Sequence, residues 1–221
     1  MNILVIGASR GIGLEFVQQY LSAGDRVTAT ARDDAALELL RGLGAIALML
    51  DVANPVSVSG LARQLDGGKI DVALYVAGVM SRGDARTPPT LPDFDYVMRT
   101  NVLGAMQTIP QVAPLVEAAQ GRFAFISSDM GHIAGVPSSY SWVYRVSKAA
   151  LNMAVASARH DYPQAILVAL SPGWVQTDMG GSGAPLLVQD SVAAMRHTLA
   201  TLVPADSGRF FDIDGKPMAS W

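Results

Sequence analysis

The sequence predicts a single α/β domain, residues 1–221, in which helices cover both faces of a doubly wound parallel sheet of about seven strands. Apolar runs bounded by turn residues alternate along the chain with stretches of helical period. The apolar runs are continuous, which is typical of strands buried on both faces. Hydrophobic residues make up 50% of the chain, enough for a large core, and no repeat or linker breaks the pattern.

Seven apolar runs of ordinary strand length lie between turn-forming residues such as glycine, proline, asparagine and aspartate. In chain order, strands are predicted at 2–6, 26–31, 45–50, 71–76, 122–127, 165–170 and 209–213. Each interval between successive strands is long enough for a crossover helix, so the strands are predicted to run parallel, as in a Rossmann-type fold.

Helices are predicted in the intervals, at 12–23, 34–42, 55–65, 92–119, 143–160 and 187–202. Asn54 and Pro55 supply an N-cap and a first helical residue for the third of them. Pro110 and Pro114 are predicted to kink or divide the long fourth stretch, because proline removes a helical hydrogen bond. The remaining irregular segments, predicted as loops, are 80–91, 129–142 and 178–186.

Composition excludes several classes of function. The net charge is −3, and no run of like charges offers a surface for nucleic acid. The chain has no cysteine, which excludes disulfides, thiolate metal sites and cysteine nucleophiles, and its histidines lack metal-ligand spacing. The longest apolar run is far too short to span a membrane, and the N-terminus lacks the basic flank of a signal peptide. A cytoplasmic protein that binds neither membrane nor metal is expected.

A glycine-rich turn between the first strand and the first helix is the first functional motif. Gly7, Gly11 and Gly13 have the spacing G-x3-G-x-G. Glycine permits a sharp turn and close approach to a ligand, and the N-terminus of the following helix favours a phosphate. Many strand–turn–helix units need glycine for geometry alone, which is the plainer interpretation. As a dinucleotide site, the turn contributes Gly7, Ser9, Arg10, Gly11, Ile12 and Gly13.

Two arginines favour NADP(H) over NAD(H). Arg10 lies inside the glycine turn, and Arg32 follows the second strand, where an acidic residue would hydrogen-bond the ribose of NAD. Two guanidinium groups can clamp a 2′-phosphate. The alternative is that both arginines are solvated surface residues, and the adjacent Asp33 and Asp34 weaken the argument for a phosphate site.

The second motif is Tyr144 followed four residues later by Lys148, at the start of a helical stretch. That spacing places both side chains on one face, one turn apart. A phenol beside a fixed ammonium is predicted to be a proton donor with a lowered pKa. The plainer interpretation is a packed tyrosine and a solvated lysine. Together with the glycine turn, the pair indicates a nicotinamide-dependent oxidoreductase.

The two motifs and several further segments occur together in an order that is typical of a known family. They are 7–13, Asp51-Val52, Ala77-Gly78, 100–102, Ile126-Ser127-Ser128, Tyr144 to Lys148, 172–181 and 208–215. Over nearly its full length the chain resembles the short-chain dehydrogenase/reductase family, and the last two segments look most like its C-factor-like branch. One departure is Tyr75-Val76, because many members carry asparagine just before the Ala-Gly pair; a supporting hydrogen bond on the adenosine side is therefore in doubt.

The resemblance implies four catalytic residues. Tyr144 would be the general acid or base, and Lys148 would lower its pKa and hold the nicotinamide ribose. Ser128 would orient the substrate carbonyl, with Ser127 as the rival candidate and a strand-ending structural serine as the plainer alternative. Asn101, within the predicted helix 92–119, would hold a water that connects Lys148 to solvent.

The resemblance also extends the cofactor site. Besides the glycine turn, Arg32, Tyr144 and Lys148, it implies cofactor contacts from Asp51, Val52, Ala77, Gly78, Pro172, Gly173, Val175 and Thr177. Asp51 and Val52 would receive the adenine edge, although a loop cap would explain them equally. Pro172 and Gly173 would position the nicotinamide amide, although a plain turn is the alternative.

The implied function is hydride transfer between NADP(H) and a carbonyl or alcohol substrate. The alternative is a non-catalytic NADP-binding regulator on the same fold, while a sulfonium-dependent methyltransferase is disfavoured by Arg32 after strand two. Helices 92–119 and 143–160 resemble the pair through which members form dimers or tetramers, so a homo-oligomer is expected. Candidate substrate-pocket residues, suited to an apolar carbonyl compound, are Met80, Met130, Trp142, Trp174, Met179 and Leu186.

Overall fold

The computed structural model of the chain describes residues 1–220 and contains one sheet of seven parallel strands. The strands are β1 (Asn2–Ile6), β2 (Arg26–Ala31), β3 (Ile46–Met49), β4 (Val72–Tyr75), β5 (Arg122–Ile126), β6 (Ile166–Leu170) and β7 (Phe210–Phe211). Their spatial order is β3-β2-β1-β4-β5-β6-β7. The predicted doubly wound sheet is therefore confirmed, although the last strand is shorter than the predicted 209–213.

Eight α-helices flank the sheet within the described residues. They are α1 (Gly11–Ser22), α2 (Asp34–Gly42), α3 (Pro55–Ser59), α4 (Leu61–Gln64), α5 (Leu91–Met98), α6 (Gly104–Glu117), α7 (Trp142–Ala158) and α8 (Val188–Thr201). One hydrophobic cluster joins α1, α2 and α8 to one face of the sheet, and a second joins α3, α4, α6 and α7 to the other. The central strands β1, β4, β5 and β6 bury side chains on both faces, which explains their continuous apolar runs, whereas the edge strand β3 is partly exposed.

The strand order reverses between β1 and β4, which lie side by side in the sheet. Chain connections leave these two strands in opposite directions, so a crevice opens at their carboxyl ends. The glycine turn follows β1 and the Ala77-Gly78 pair follows β4, at the same edge. The fold therefore brings together segments that are far apart in the sequence.

Two predicted helices differ from the observed ones. Stretch 55–65 is divided at Gly60 into α3 and α4. Stretch 92–119 is divided by a π-helical turn, Arg99–Leu103, and Pro110 and Pro114 lie inside α6 instead of breaking it. Both prolines are on the exposed face, where water can satisfy the carbonyls that lose a helical partner.

Among residues 1–220 no helix has the length and apolar character that crossing a membrane requires.

Candidate active site

A cleft of about 540 Å³ opens at the carboxyl ends of the strands. It is lined by nearly all the predicted site residues: Gly7, Ser9, Arg10, Gly11, Ile12, Gly13, Arg32, Val52, Ala77, Gly78, Ser128, Tyr144, Lys148, Pro172, Gly173, Val175 and Thr177. Asp51 and Asn101 are not among the lining residues. The structure thus brings the glycine turn and the Tyr144–Lys148 pair to one cavity, as the sequence predicts.

The glycine turn is tightly packed against the end of β4. Gly7 has a φ of +88°, and a Cβ there would lie 2.7 Å from backbone atoms of Ala77. A Cβ on Gly13 would lie 2.1 Å from the Gly7 carbonyl oxygen. Only glycine fits both positions, so the turn can approach a ligand with bare backbone. The first turn of α1 has no acidic residue and no side-chain cap, so its N–H groups remain available to a phosphate.

The two arginines beside the glycine turn have different environments. Arg32 lines the cleft and is exposed, whereas Arg10 forms an ion pair with Asp178, with 2.7 Å between Nη1 and Oδ2. This pair is largely solvated and therefore weak enough to exchange for a phosphate. The carboxylate of Asp33 accepts the Ala36 N–H at 2.9 Å as the N-cap of α2. Asp33 therefore caps a helix and does not line the cleft.

Asp51 has a local structural contact. Its Oδ1 accepts the N–H of Ala53 at 3.0 Å, and its own N–H donates to the Ser57 hydroxyl at 3.0 Å. These bonds match the loop-cap alternative. Val52, by contrast, is buried and lines the cleft.

Tyr144 and Lys148 lie on the buried face of α7, with only 7% and 3% of their surfaces exposed. The Lys148 Nζ is 5.5 Å from the centre of the Tyr144 ring. Burial raises the pKa of Tyr144 to about 12, because a phenolate would be poorly solvated; a hydrogen bond with Ser128 lowers that pKa in part. The spacing predicts that Lys148 lowers this pKa; in the structure burial dominates, and Ser128 is the group that lowers the pKa in part.

Lys148 has the opposite shift for the same reason. Burial lowers its pKa to about 7, because an ammonium group would be poorly solvated there. Its Nζ donates to the backbone carbonyl of Ile126, the last residue of β5, at 2.7 Å. This bond fixes the amine at the floor of the cleft, 3.5 Å from the position that a Cβ on Gly78 would take. Glycine at position 78 therefore leaves the space in front of the amine open.

The two serines after β5 have different partners. The buried hydroxyl of Ser127 donates to Asn152 Oδ1 at 2.6 Å and ties β5 to α7. Ser128 is partly exposed, and its Oγ accepts the Met130 N–H at 3.1 Å while it also hydrogen-bonds Tyr144. Ser128 is thus the serine whose hydroxyl faces the phenol, which favours it over Ser127 for contact with a substrate.

Asn101 is fully buried in the π-helical turn, a correction to its predicted place in a regular helix interior. Its Nδ2 donates to the Val79 carbonyl at 2.8 Å and to the Ser147 hydroxyl at 2.9 Å, and its Oδ1 accepts the Val79 N–H at 2.8 Å. Ser147 donates in turn to the Tyr144 carbonyl at 2.7 Å. Asn101 therefore connects the loop after β4 to the first turns of α7.

The segment after β6 closes one wall of the cleft. Gly173 has a φ of +72°, and the Pro172 carbonyl accepts the Ser191 hydroxyl at 2.7 Å. The Thr177 hydroxyl accepts the Gly180 N–H at 3.1 Å and keeps its own proton to donate. A Cβ on Gly11 would lie 3.4 Å from the Thr177 methyl, so this segment faces the glycine turn across the cleft.

The cleft is also lined by residues that the sequence did not single out. Four of the six predicted apolar residues line it, Met80, Met130, Trp174 and Met179, whereas Trp142 and Leu186 do not. Arg82, Tyr96 and Tyr140 also line it. Arg82 and Tyr140 fall in two predicted loops, 80–91 and 129–142, which follow neighbouring strands. Loops that follow neighbouring parallel strands meet at the carboxyl edge of the sheet, and this position could have indicated that Arg82 and Tyr140 line the cleft.

His132 lies outside the cleft. The His132 Nε2 is 3.1 Å from the Ser220 hydroxyl, and the ring does not line the cleft. Among residues 1–220, no three histidine, aspartate or glutamate side chains converge in a way that could hold a metal ion.

Comparisons with known proteins define the family. The family model for short chain dehydrogenase matches residues 1–185. The chain is therefore a member of the short-chain dehydrogenase family of oxidoreductases. Its curated relatives include C-signal of Myxococcus xanthus, 40% identical over 151 residues that cover 67% of this chain and 91% of that protein. The chain belongs to the C-factor-like branch of the family.

Solved structures agree over the full chain. The carbonyl reductase Sniffer of D. melanogaster superposes with a TM-score of 0.91 at 28% identity, covering 100% of this chain and 99% of that one. An NADPH-bound carbonyl reductase from chicken fatty liver gives a TM-score of 0.87 at 30% identity, with 100% and 98% covered.

Proposed function

We propose that the protein is an NADPH-dependent carbonyl reductase that uses Tyr144 as its general acid. The observation that carries the proposal is the shared cleft: a glycine turn with bare backbone, the buried Tyr144–Lys148 pair and the neighbouring Ser128 line the same cavity of about 540 Å³. The similarity to carbonyl reductases of known structure, one of them with NADPH bound, supports it. Several residues of the glycine turn and Arg32 would hold the cofactor, which when bound supplies the hydride.

The chain's own residues would handle the substrate oxygen and its proton. The Ser128 hydroxyl, beside the phenol, orients the carbonyl by hydrogen bonding. Tyr144 then donates its proton to the oxygen as negative charge develops there. A phenol with a raised pKa is suited to this direction, because it stays protonated at neutral pH and a developing alkoxide is more basic still. Lys148, fixed by the Ile126 carbonyl, stabilises the resulting phenolate.

A direct test is NADPH oxidation against a panel of ketones, aldehydes and quinones. The cleft has methionine and aromatic side chains at its substrate end, so apolar carbonyl compounds are expected to react best. Turnover of at least one compound class, with the alcohol as product, is expected. If NADPH binds and no member of the panel is reduced, the reductase proposal fails.

Arg32 is proposed to select NADPH through the 2′-phosphate. Arg32→Asp removes an exposed cation at the cleft and adds an anion, so the preference for NADPH over NADH should fall by about 10- to 100-fold, equivalent to ~1–3 kcal/mol of charge-assisted binding. The Kd of both cofactors is measured by fluorescence titration. Arg26→Asp, at the amino end of β2, is the matched control. Unchanged discrimination in Arg32→Asp contradicts the phosphate site.

The second candidate function is an NADP-binding regulator without turnover. The similarity to C-signal, a protein named for signalling, favours keeping it. It predicts tight NADPH binding together with no reduction of any carbonyl compound. The buried phenol and amine argue against it, because burying a basic amine costs stability and a protein that only binds the cofactor would gain nothing in return.

A homo-oligomer, a dimer or tetramer, is proposed from the exposed faces of α6 and α7. Leu103, Met106, Pro110 and Pro114 recur on one face and are exposed, as are Val146 and Met153 on α7. Apolar stripes of this kind mark interfaces. Light scattering at micromolar concentration should give at least twice the mass of one chain, and a monomer would contradict the proposal.

A further inference from the structure

Tyr75 lies at the carboxyl end of β4, and it does not line the cleft. Its side chain is fully buried, and its hydroxyl donates to the Thr100 carbonyl at 2.6 Å. Thr100 belongs to the π-helical turn Arg99–Leu103. We propose that Tyr75 is a positioning residue for carbonyl reduction: its hydroxyl fixes the π-helical turn that holds Asn101 against the catalytic helix. The inference rests on the proposed function.

The first argument is that the Tyr75 hydroxyl is bonded to the Thr100 carbonyl and that losing this bond would be costly in free energy. Burial raises the pKa of Tyr75 far above its usual range, so the phenol stays neutral and acts as a donor. A buried hydroxyl that lost its partner would cost about 1–3 kcal/mol. The bond to Thr100 therefore holds the carboxyl end of β4 and the π-helical turn at a fixed separation.

The second argument is the space made for this contact. A Cβ on Gly104, the residue after the turn, would lie 2.6 Å from the Tyr75 hydroxyl oxygen and 2.7 Å from the Val52 carbonyl oxygen. Real side chains do not tolerate such distances. Glycine at 104 thus lets the helix approach β4 closely enough for the phenol to reach the turn.

The third argument is what the turn carries. A π-helical turn bonds each N–H one residue farther back than an α-helix does, as the Gly104 N–H does with the Arg99 carbonyl. Such turns are wider and need outside contacts to persist. Asn101 follows Thr100 directly, and its amide bonds both backbone groups of Val79 and the Ser147 hydroxyl. A shift of the turn would therefore move Asn101.

The fourth argument links Asn101 to the reacting groups. Ser147 bonds the Tyr144 carbonyl, and the space in front of Gly78 is bounded by Asn101 Oδ1 and Lys148 Nζ, each 3.5 Å from where a Cβ would stand. Tyr75 touches neither of the catalytic side chains. It acts through its hydrogen bond to the Thr100 carbonyl and the peptide link from Thr100 to Asn101. From there, Asn101 donates to the Ser147 hydroxyl, and Ser147 donates to the Tyr144 backbone carbonyl.

The test compares Tyr75→Phe with Tyr20→Phe, which removes a buried hydroxyl from the opposite face of the sheet. Two quantities are measured: kcat and KM with the best carbonyl substrate, and hydrogen–deuterium exchange of the Val79 amide, which is bonded to Asn101. Tyr75→Phe should lower kcat about tenfold with KM for NADPH unchanged, and should speed Val79 exchange about tenfold, the effect of one hydrogen bond. Tyr20→Phe should change neither.

Gly104→Ala is a second variant, because the added Cβ displaces the π-helical turn from the Tyr75 hydroxyl while the hydroxyl itself is kept. It should reproduce both the lower kcat and the faster Val79 exchange. Exchange at Val79 is read without turnover, so it decides the Tyr75 contact even if no carbonyl compound is reduced and the reductase proposal fails. Wild-type kcat together with wild-type Val79 exchange in Tyr75→Phe would overturn the inference. Faster exchange with wild-type kcat would also overturn it, because the turn would then not position the reacting groups.

Discussion

Tyr144→Phe is expected to lower kcat for carbonyl reduction by about 10²- to 10⁴-fold, the usual contribution of a general acid. Phenylalanine keeps the ring that packs in the cleft and removes only the proton donor. The Kd for NADPH should therefore change little. Rates are measured from NADPH absorbance under saturating cofactor and substrate.

Tyr162→Phe is the matched control, because this half-buried tyrosine packs against the second hydrophobic cluster and does not line the cleft. It should keep the wild-type kcat. Retention of most of the wild-type rate in Tyr144→Phe would show that another group delivers the proton, and the assignment of the phenol would be wrong.

Lys148→Met is expected to lower activity by on the order of 10²–10³-fold while it stabilises the fold below neutral pH. Burial lowers the folded-state pKa of Lys148 to about 7, from an unfolded value near 10.5. Between these two pKa values the unfolded chain binds more protons, so this lysine makes the free energy of unfolding rise with pH over that window. Below it, the buried ammonium is destabilising in full.

Methionine removes that cost, so Lys148→Met should gain roughly 2–5 kcal/mol of unfolding free energy at pH 6, less the lost bond to Ile126. The gain should shrink toward pH 10. Urea unfolding at both pH values checks this, with the exposed Lys69→Met as control. A variant that is no more stable at pH 6, or whose stability difference is the same at both pH values, contradicts the buried, weakly basic amine.

The fold was predictable because its signals are local. Continuous apolar runs at 2–6 and 166–170 need only be buried on both faces, and the intervening helices dictate a parallel sheet. The glycine turn was equally visible, since Gly7 and Gly13 are needed for close backbone approach wherever the chain makes that turn. The four-residue spacing of Tyr144 and Lys148 predicted that both lie on one helix face, and both lie on the buried face of α7.

What the sequence could not predict depends on contacts between distant segments. The π-helical turn is supported by Tyr75 and Asn101, whose partners lie on other elements. Pro110 is tolerated in a helix only because its side faces solvent, which the sequence alone does not reveal. The raised pKa of Tyr144 was not predictable for a related reason: the spacing shows the neighbouring amine, whereas the extent of burial emerges only from the packed fold.

The most direct test of the central claim is a crystal structure of the chain with bound NADP⁺. The claim predicts the diphosphate against the glycine turn, the 2′-phosphate beside Arg32, and the nicotinamide facing the Tyr144 hydroxyl across a space that fits a carbonyl group. A phenol turned away from the nicotinamide, or a cofactor bound outside the cleft, would contradict it.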